Sequence, residues 1–271
     1  MEMMEFIKVV ILGMFEGLTE FAPVSSTGHM ILVVEMWLKT DLFLGDYVAN
    51  TFKVFIQLGS ILAVVVIFRD RFKDLLISSR KRKGLRLKWS HIITGLLPAA
   101  ILGFLFEDFI DKHLFTLETV LIGLGAGAVF MIAADLHQPK GRKESVDQIS
   151  HSQAFTIGIF QCLSLWPGFS RSGATISAGV VMGLSHRAAA DFTFIMAVPI
   201  MLGASSLSIV NNLAYFQWTA VPYFAVGFLS AFLFALLSIR FFLKLINHVK
   251  LIPFAIYRFI LIVVICFLYF K

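Results

Sequence analysis

The chain has 271 residues, of which 58% are hydrophobic and only 15% charged, with 29 Phe and a formal net charge of +6. No soluble domain has an interior large enough to hide that apolar share, so a soluble globular protein and a disordered one are both excluded. The apolar runs are long and unbroken, with a mean hydropathy of +0.86, which favours membrane helices over the two-residue alternation of a barrel.

In chain order, a first apolar stretch covers about residues 6–38 and is interrupted near its middle by Pro23, Ser25, Ser26, Thr27 and Gly28. Neither half is long enough to cross a bilayer, and the pattern predicts a re-entrant hairpin of two half-helices. Spanning helices are predicted over about 50–69, 89–107 and 117–137. A second broken stretch, about 153–185, repeats the hairpin pattern around Pro167 and Gly168, and three further spans follow at about 188–210, 219–240 and 252–270. The start of the chain does not read as a cleavable signal, since Glu2, Glu5, Glu16 and Glu20 stand where basic and then apolar residues belong. Cys162 and Cys266 lie in apolar surroundings and offer neither a disulfide framework nor metal spacing.

Charge sets the orientation. The loop after residue 69 holds Arg69, Arg71, Lys73, Arg80, Lys81, Arg82, Lys83, Arg86 and Lys88, and is expected inside. Alternation places Lys140, Arg142 and Lys143 inside, and likewise Arg240, Lys244 and Lys250 in a loop around 240–250, whereas 107–116 and 211–218 are poor in Lys and Arg. The run Arg80–Lys83 therefore reads as a topology signal, and no nucleic-acid partner is expected. Both termini then lie outside. The expected fold is an all-α integral membrane protein with six transmembrane helices and two re-entrant hairpins in an inverted-topology repeat. It forms one membrane domain over 1–271, with halves of about 1–137 and 151–271 joined by a cytoplasmic loop at 138–150.

The two broken stretches align without a gap at an offset of 145 residues, with identities at Leu18/Leu163, Ser25/Ser170 and Gly28/Gly173. Polar residues inside a bilayer are costly and signal function. Glu16 and Glu20 are four apart and share one helix face. Such a pair shares a proton or holds a hard divalent cation, and the alternative is a hairpin helix with one wet face. Ser25, Ser26 and Thr27 can cap the next helix, yet three hydroxyls exceed what a cap needs. His29 is the one histidine inside an interrupted apolar stretch, a turn from the hydroxyls, and is a candidate acid or base. In the second copy, Arg171 carries a charge that matches phosphate oxygens. Ser170, Ser172 and Thr175 add hydroxyls, and the following helix start adds backbone N–H groups. These residues suit a multiply charged anion such as a phosphate or diphosphate, although Arg171 can equally pair with a glutamate to join the hairpins. Asp191 and Arg258 are read as side chains that snorkel to the inner surface.

Glu16-x-x-x-Glu20, Pro23–Val–Ser–Ser26–Thr–Gly–His29 and Pro167–Gly–Phe–Ser170–Arg171–Ser–Gly–Ala–Thr175 together resemble the undecaprenyl-diphosphatase, or bacitracin-resistance, family. Phe55–Ile–Gln57–Leu–Gly59–Ser60 and Ile252–Pro–Phe–Ala–Ile–Tyr–Arg258–Phe extend the likeness almost end to end. The resemblance implies a multi-pass protein of the bacterial plasma membrane. It further implies a polyprenyl diphosphate substrate, hydrolysed to the monophosphate carrier lipid of cell-wall synthesis, and a site that faces the periplasm. The resemblance also implies a divalent cation, Mg²⁺ or Ca²⁺, handled by Glu16 and Glu20. Arg171 holds phosphate with Ser25, Thr27, Ser170, Ser172 and Thr175, Ser26 is a candidate nucleophile, and His29 is a candidate base. A homodimer is left open. The rival expectation from the inverted repeat is a transporter or flippase of a phosphorylated polyprenyl lipid. The acid-phosphatase-like lipid phosphatases fit less well, because no histidine lies between Arg171 and His186.

Overall fold

The computed structural model describes residues 2–38, 46–76, 85–139, 142–212 and 218–269. The basic run Arg80–Lys83 and Lys140 fall outside the described residues. Helix α1 spans Glu2–Thr19, starting earlier than expected, and after a break at residues 20–25 the chain re-enters helix as α2, Ser26–Met30, continued by a π-helical stretch Ile31–Leu38. Helix α3 (Asp46–Ile67) turns by 78° into the charged α4 (Arg69–Leu76), and α5 (Trp89–Leu105) turns by 69° into α6 (Glu107–His113). Helix α7 covers Leu117–Leu136. The second half opens with α8 (His151–Gln161) and a 3₁₀ turn Cys162–Leu165, then breaks before α9 (Arg171–Val181). It closes with α10 (His186–Asn212), α11 (Val221–Val249) and α12 (Ile252–Tyr269). No strand occurs among the described residues beyond one isolated bridge, Lys143 to Leu184.

Among the described residues, four helical stretches are long and apolar enough to cross a membrane, or six if each bent pair counts as one span. The predicted spans all fall on these helices. Several boundaries differ. The segment 240–250, expected as a loop, is helical to Val249, because Arg240, Leu243 and Lys244 are themselves good helix formers and neither Pro nor Gly intervenes before Pro253. Loops 69–88 and 107–116 likewise contain short charged helices where a plain loop was expected.

Packing between the halves is reciprocal. Helix α1 lies along α11, α8 lies along α5, α3 faces α10, and α7 faces α12. Small residues allow these approaches. A Cβ on Gly13 would sit 2.5 Å from the Gly227 carbonyl oxygen, and one on Gly158 would sit 2.4 Å from that of Gly95. Gly13 and Gly158 stand at the same 145-residue offset as the two serine turns, so the internal repeat extends into the first helix of each broken stretch. Backbone contact of this kind is the usual way membrane helices associate. Gly158→Ala is expected to cost about 1–3 kcal/mol through overpacking, read as a drop of several degrees in thermal unfolding in detergent. An unchanged midpoint would contradict the contact.

The largest core cluster joins Phe21, Phe68, Phe192, Phe194, Phe242 and Met131, and roots the first break in the protein interior. Phe21 meets Phe194 edge-on with ring centroids 5.2 Å apart. At one end of the molecule, Asp147 takes Arg71 Nη1 at 2.5 Å and the Leu87 N–H at 3.1 Å. Burial pushes its carboxyl up, but these donors outweigh burial and hold it below the usual carboxylate range. Arg187 Nη1 donates to the Leu243 carbonyl at 2.9 Å, so the described basic segments 69–76, 85–88, 142–150 and 240–250 gather at that end. Asp191, half-buried, pairs with Arg187 at 2.9 Å.

Candidate active site

Both breaks fold into the same local structure. Ser25 and Ser170 have left-handed backbone, φ 68 and φ 73, shared among described non-glycine residues only with Lys250. That conformation costs about 1–3 kcal/mol for a residue with a side chain and marks a functional constraint. Each serine caps the helix that follows: Ser25 Oγ accepts from the Gly28 N–H at 3.4 Å, and Ser170 Oγ from the Gly173 N–H at 3.2 Å. Two helix N-termini, at Ser26 and Arg171, therefore start from matching turns.

The turns meet through one ion pair. Arg171 Nη2 donates to Glu20 Oε1 at 3.0 Å, with both side chains largely buried. The other oxygen of Glu20 accepts from Ser26 Oγ at 2.7 Å. Glu20 thus links the guanidinium of one half to the hydroxyl of the other. Arg171 Nε and Nη1 are buried and have no protein partner. An unpaired buried donor is expensive, so these two N–H groups are poised for an acceptor that the chain does not supply. The Arg171 guanidinium also lies 5.9 Å from the Phe21 ring centroid.

A cavity of about 270 Å³ lies over this pair, lined by Glu20, Ser25, Ser26, Thr27, Gln57, Ser164, Ser170 and Arg171, with Pro167, Gly168 and apolar residues of α10. A second cavity of about 270 Å³ adjoins it at Ser26, Thr27 and Gln57 and reaches Glu16, Lys53 and Phe115. Glu16 is buried, its Oε1 has no partner, and its carboxyl interacts with that of Glu20.

Of the residues singled out from sequence, Glu16, Glu20, Ser25, Ser26, Thr27, Ser170 and Arg171 line these two cavities. His29, Ser172 and Thr175 do not. Ser172 Oγ donates to the Ala22 carbonyl at 3.1 Å, tying the second turn to the first. Thr175 Oγ1 donates to the Arg171 carbonyl at 2.8 Å and accepts from Thr193 at 2.9 Å. His29 is buried with both ring nitrogens engaged, Nδ1 at 2.8 Å from the Ser25 carbonyl oxygen and Nε2 at 2.7 Å from Tyr257 Oη. Arg258 does not snorkel. It is fully buried, and its Nη2 donates to the carbonyls of Gly168 at 2.7 Å and Gly123 at 3.3 Å. The reason is space: Gly127 and Gly173 leave a slot at the α7–α9 contact that the guanidinium fills.

Sequence reasoning assigned no role to Gln57, Ser164 or Lys53. Gln57 carried a usable signal, since an amide within an apolar span is costly unless it meets a ligand. Ser164 is the repeat mate of Thr19. Gln161, the repeat mate of Glu16, is also buried, with both amide atoms unpartnered.

A search against family models matches the bacitracin resistance protein BacA over residues 9–264. The chain belongs to the BacA family. Curated relatives of this chain include the undecaprenyl-diphosphatase of Geobacillus sp. strain WCH70, 65% identical with all of both chains aligned. That of Geobacillus kaustophilus is 64% identical, again over all of both chains. The undecaprenyl-diphosphatase of Bacillus subtilis is 56% identical over 96% of this chain and 97% of its own.

A divalent cation is the expectation drawn from the sequence, and the donor set here fits one in part. Glu16 and Glu20 offer carboxylate oxygens, one of them buried and unpartnered, beside the Ser26 hydroxyl. All-oxygen donors suit Mg²⁺ or Ca²⁺. Among the described residues no group of three His, Cys, Asp or Glu completes a protein cage, so further ligands would come from water and substrate oxygens.

Proposed function

We infer that this protein hydrolyses undecaprenyl diphosphate to undecaprenyl phosphate and inorganic phosphate, returning the carrier lipid to cell-wall synthesis and thereby conferring bacitracin resistance. The observation that carries the reading is Arg171, whose Nε and Nη1 stand unpartnered beside a hydroxyl already bonded to a carboxylate. The guanidinium and the two helix starts would hold the terminal phosphate and offset the charge that spreads over its oxygens during transfer. Glu20 Oε2 already accepts from Ser26 Oγ. It is placed to take the proton when an oxygen attacks the phosphorus, whether that oxygen is Ser26 Oγ or a water that Ser26 orients. The anhydride bond to the bridging oxygen then breaks, and undecaprenyl phosphate departs; where Ser26 Oγ is the attacking oxygen, a water must next cleave the phosphoserine, releasing inorganic phosphate and returning a proton to Ser26 Oγ. Glu16 and Glu20 would hold the cation, whose chemistry is to neutralise phosphate charge. With both ring nitrogens of His29 engaged elsewhere, Glu20 replaces it as the base in this scheme.

We place the protein as a multi-pass protein of the bacterial plasma membrane, with six spans, two re-entrant hairpins and both termini outside. The reciprocal helix pairing and the matching serine turns support an inverted repeat of halves 1–137 and 151–271. The basic segments gather at one end, which supports a cytoplasmic placement for the 138–150 loop. Glu5 meets the Tyr223 hydroxyl at 2.7 Å, near the start of α11 and far along that helix from Leu243 and the basic end. The cavities reach Lys53, Phe115 and Ala204, toward the end away from the basic loops, which supports a site open to the periplasm.

The test is phosphate release by purified protein from polyprenyl diphosphates of graded tail length. Chelation is expected to lower turnover at least about tenfold, as loss of a charge-stabilising metal does, and added Mg²⁺ or Ca²⁺ to restore it. Chelator-insensitive turnover would remove the cation from the scheme. Headgroup translocation in vesicles without released phosphate would favour the transporter instead.

A further inference from the structure

We propose that Tyr257 and Arg258, neighbours on α12, are positioning residues that hold the two serine turns in register, one residue to each turn. The proposal rests on the diphosphatase reading only for its kinetic readout. Tyr257 acts on the first turn through His29. A carbonyl oxygen only accepts, so the 2.8 Å contact to Ser25 requires a proton on His29 Nδ1, and in the neutral ring Nε2 then accepts from the Tyr257 hydroxyl at 2.7 Å. The two rings are nearly parallel, 6° apart at 5.6 Å, which fixes the imidazole plane as well. The carbonyl so held belongs to the residue just before Ser26, in the left-handed turn.

Arg258 acts on the second turn directly. Its Nη2 holds the carbonyl of Gly168, itself at φ 92 and two residues before Ser170. The guanidinium lies against the first turn of α9, where a Cβ on Gly173 would come 3.2 Å from Nη1. No carboxylate pairs with this buried cation among the described residues, and its acceptors are carbonyls and Met131 sulfur. A charge so placed is held by the backbone it organises. Helix α12 is in turn anchored at its start, where Asp135 Oδ2 accepts from the Leu251 and Ile252 N–H groups at 2.8 and 3.0 Å and Oδ1 meets His186 at 2.6 Å. One rigid helix thereby sets the spacing between Ser26 and Arg171, which lie in different halves of the chain.

Tyr257→Phe keeps the ring stack and removes only the hydroxyl. It is expected to lower kcat about tenfold with KM within about twofold, since a small displacement of a reacting group acts on the rate. In a His29→Ala background the same substitution is expected to cause no further loss, because both act through the Ser25 carbonyl. Arg258→Met is expected to lower kcat more than Arg258→Lys, which retains a donor. An equal Tyr257→Phe loss in both backgrounds, or a lowered melting temperature with unchanged kcat, would overturn the proposal. A readout free of catalysis is the ¹⁵N spectrum of histidine-labelled protein, where His29 is expected as the Nδ1–H tautomer with a signal that moves in Tyr257→Phe. An Nε2–H tautomer in the wild type overturns the clamp. A wild type that shows the Nδ1–H signature yet releases no phosphate supports the clamp and overturns the diphosphatase reading.

Discussion

Arg171→Ala is expected to lower phosphate release from a polyprenyl diphosphate by about a hundred- to a thousandfold, the usual effect of deleting one preorganised donor at a developing anion. The expectation follows from the two guanidinium N–H groups that no protein acceptor satisfies. Arg171→Lys keeps the charge but loses the planar fork, and is expected to fall between wild type and alanine. The measurement is a single-turnover phosphate assay on protein shown to be folded by its unfolding transition. A folded Arg171→Ala protein within tenfold of wild-type turnover would show that the anion is held elsewhere, with Lys53 in the adjoining cavity as the next candidate.

Glu20 carries the second large effect, with separate kinetic and stability signatures. Glu20→Gln keeps the shape of the side chain but removes the acceptor for the Ser26 proton, and is expected to cost about 10²- to 10⁴-fold in turnover. Glu20→Ala does more, because it leaves the buried Arg171 charge unpaired, which costs about 3–5 kcal/mol. The double variant Arg171→Ala/Glu20→Ala is therefore expected to be more stable than Glu20→Ala alone, although equally inactive. Unfolding in detergent with both single variants and the double variant decides this. A double variant less stable than each single one would mean that the 3.0 Å ion pair does not join the two turns.

Much of the site was legible before any coordinates because its determinants are local. Ser25 and Ser170 stand out by their repeat, and the chain puts both into the same left-handed turn with the same capping bond. Glu16 and Glu20 share a helix face by spacing alone. Residues whose surroundings depend on a distant partner were not legible. His29 looked like a base from its company in sequence, yet its partner Tyr257 lies 228 positions away and occupies its second nitrogen. Arg258 looked like a snorkelling side chain because it sits near a helix start, and only the slot at Gly127 and Gly173 explains its burial. Thr175 matched the phosphate motif but spends its hydroxyl on Arg171 and Thr193. Gln57 was visible in the motif and had no role until α3 was seen to line both cavities.

By itself the sequence determined the membrane class, the number of long apolar segments, the two breaks and the chemical kinds of residue placed at each. Those are consequences of hydropathy, helix period and the backbone habits of Pro, Gly and Ser, all of which act over a few residues. Only the tertiary structure decided that Glu20 meets Arg171, 151 positions on, and that α12 touches both turns. Hydrogen bonds and ion pairs act over about 3 Å, so they cannot select a partner until the packing of α1 on α11 and of α8 on α5 has brought the two turns together.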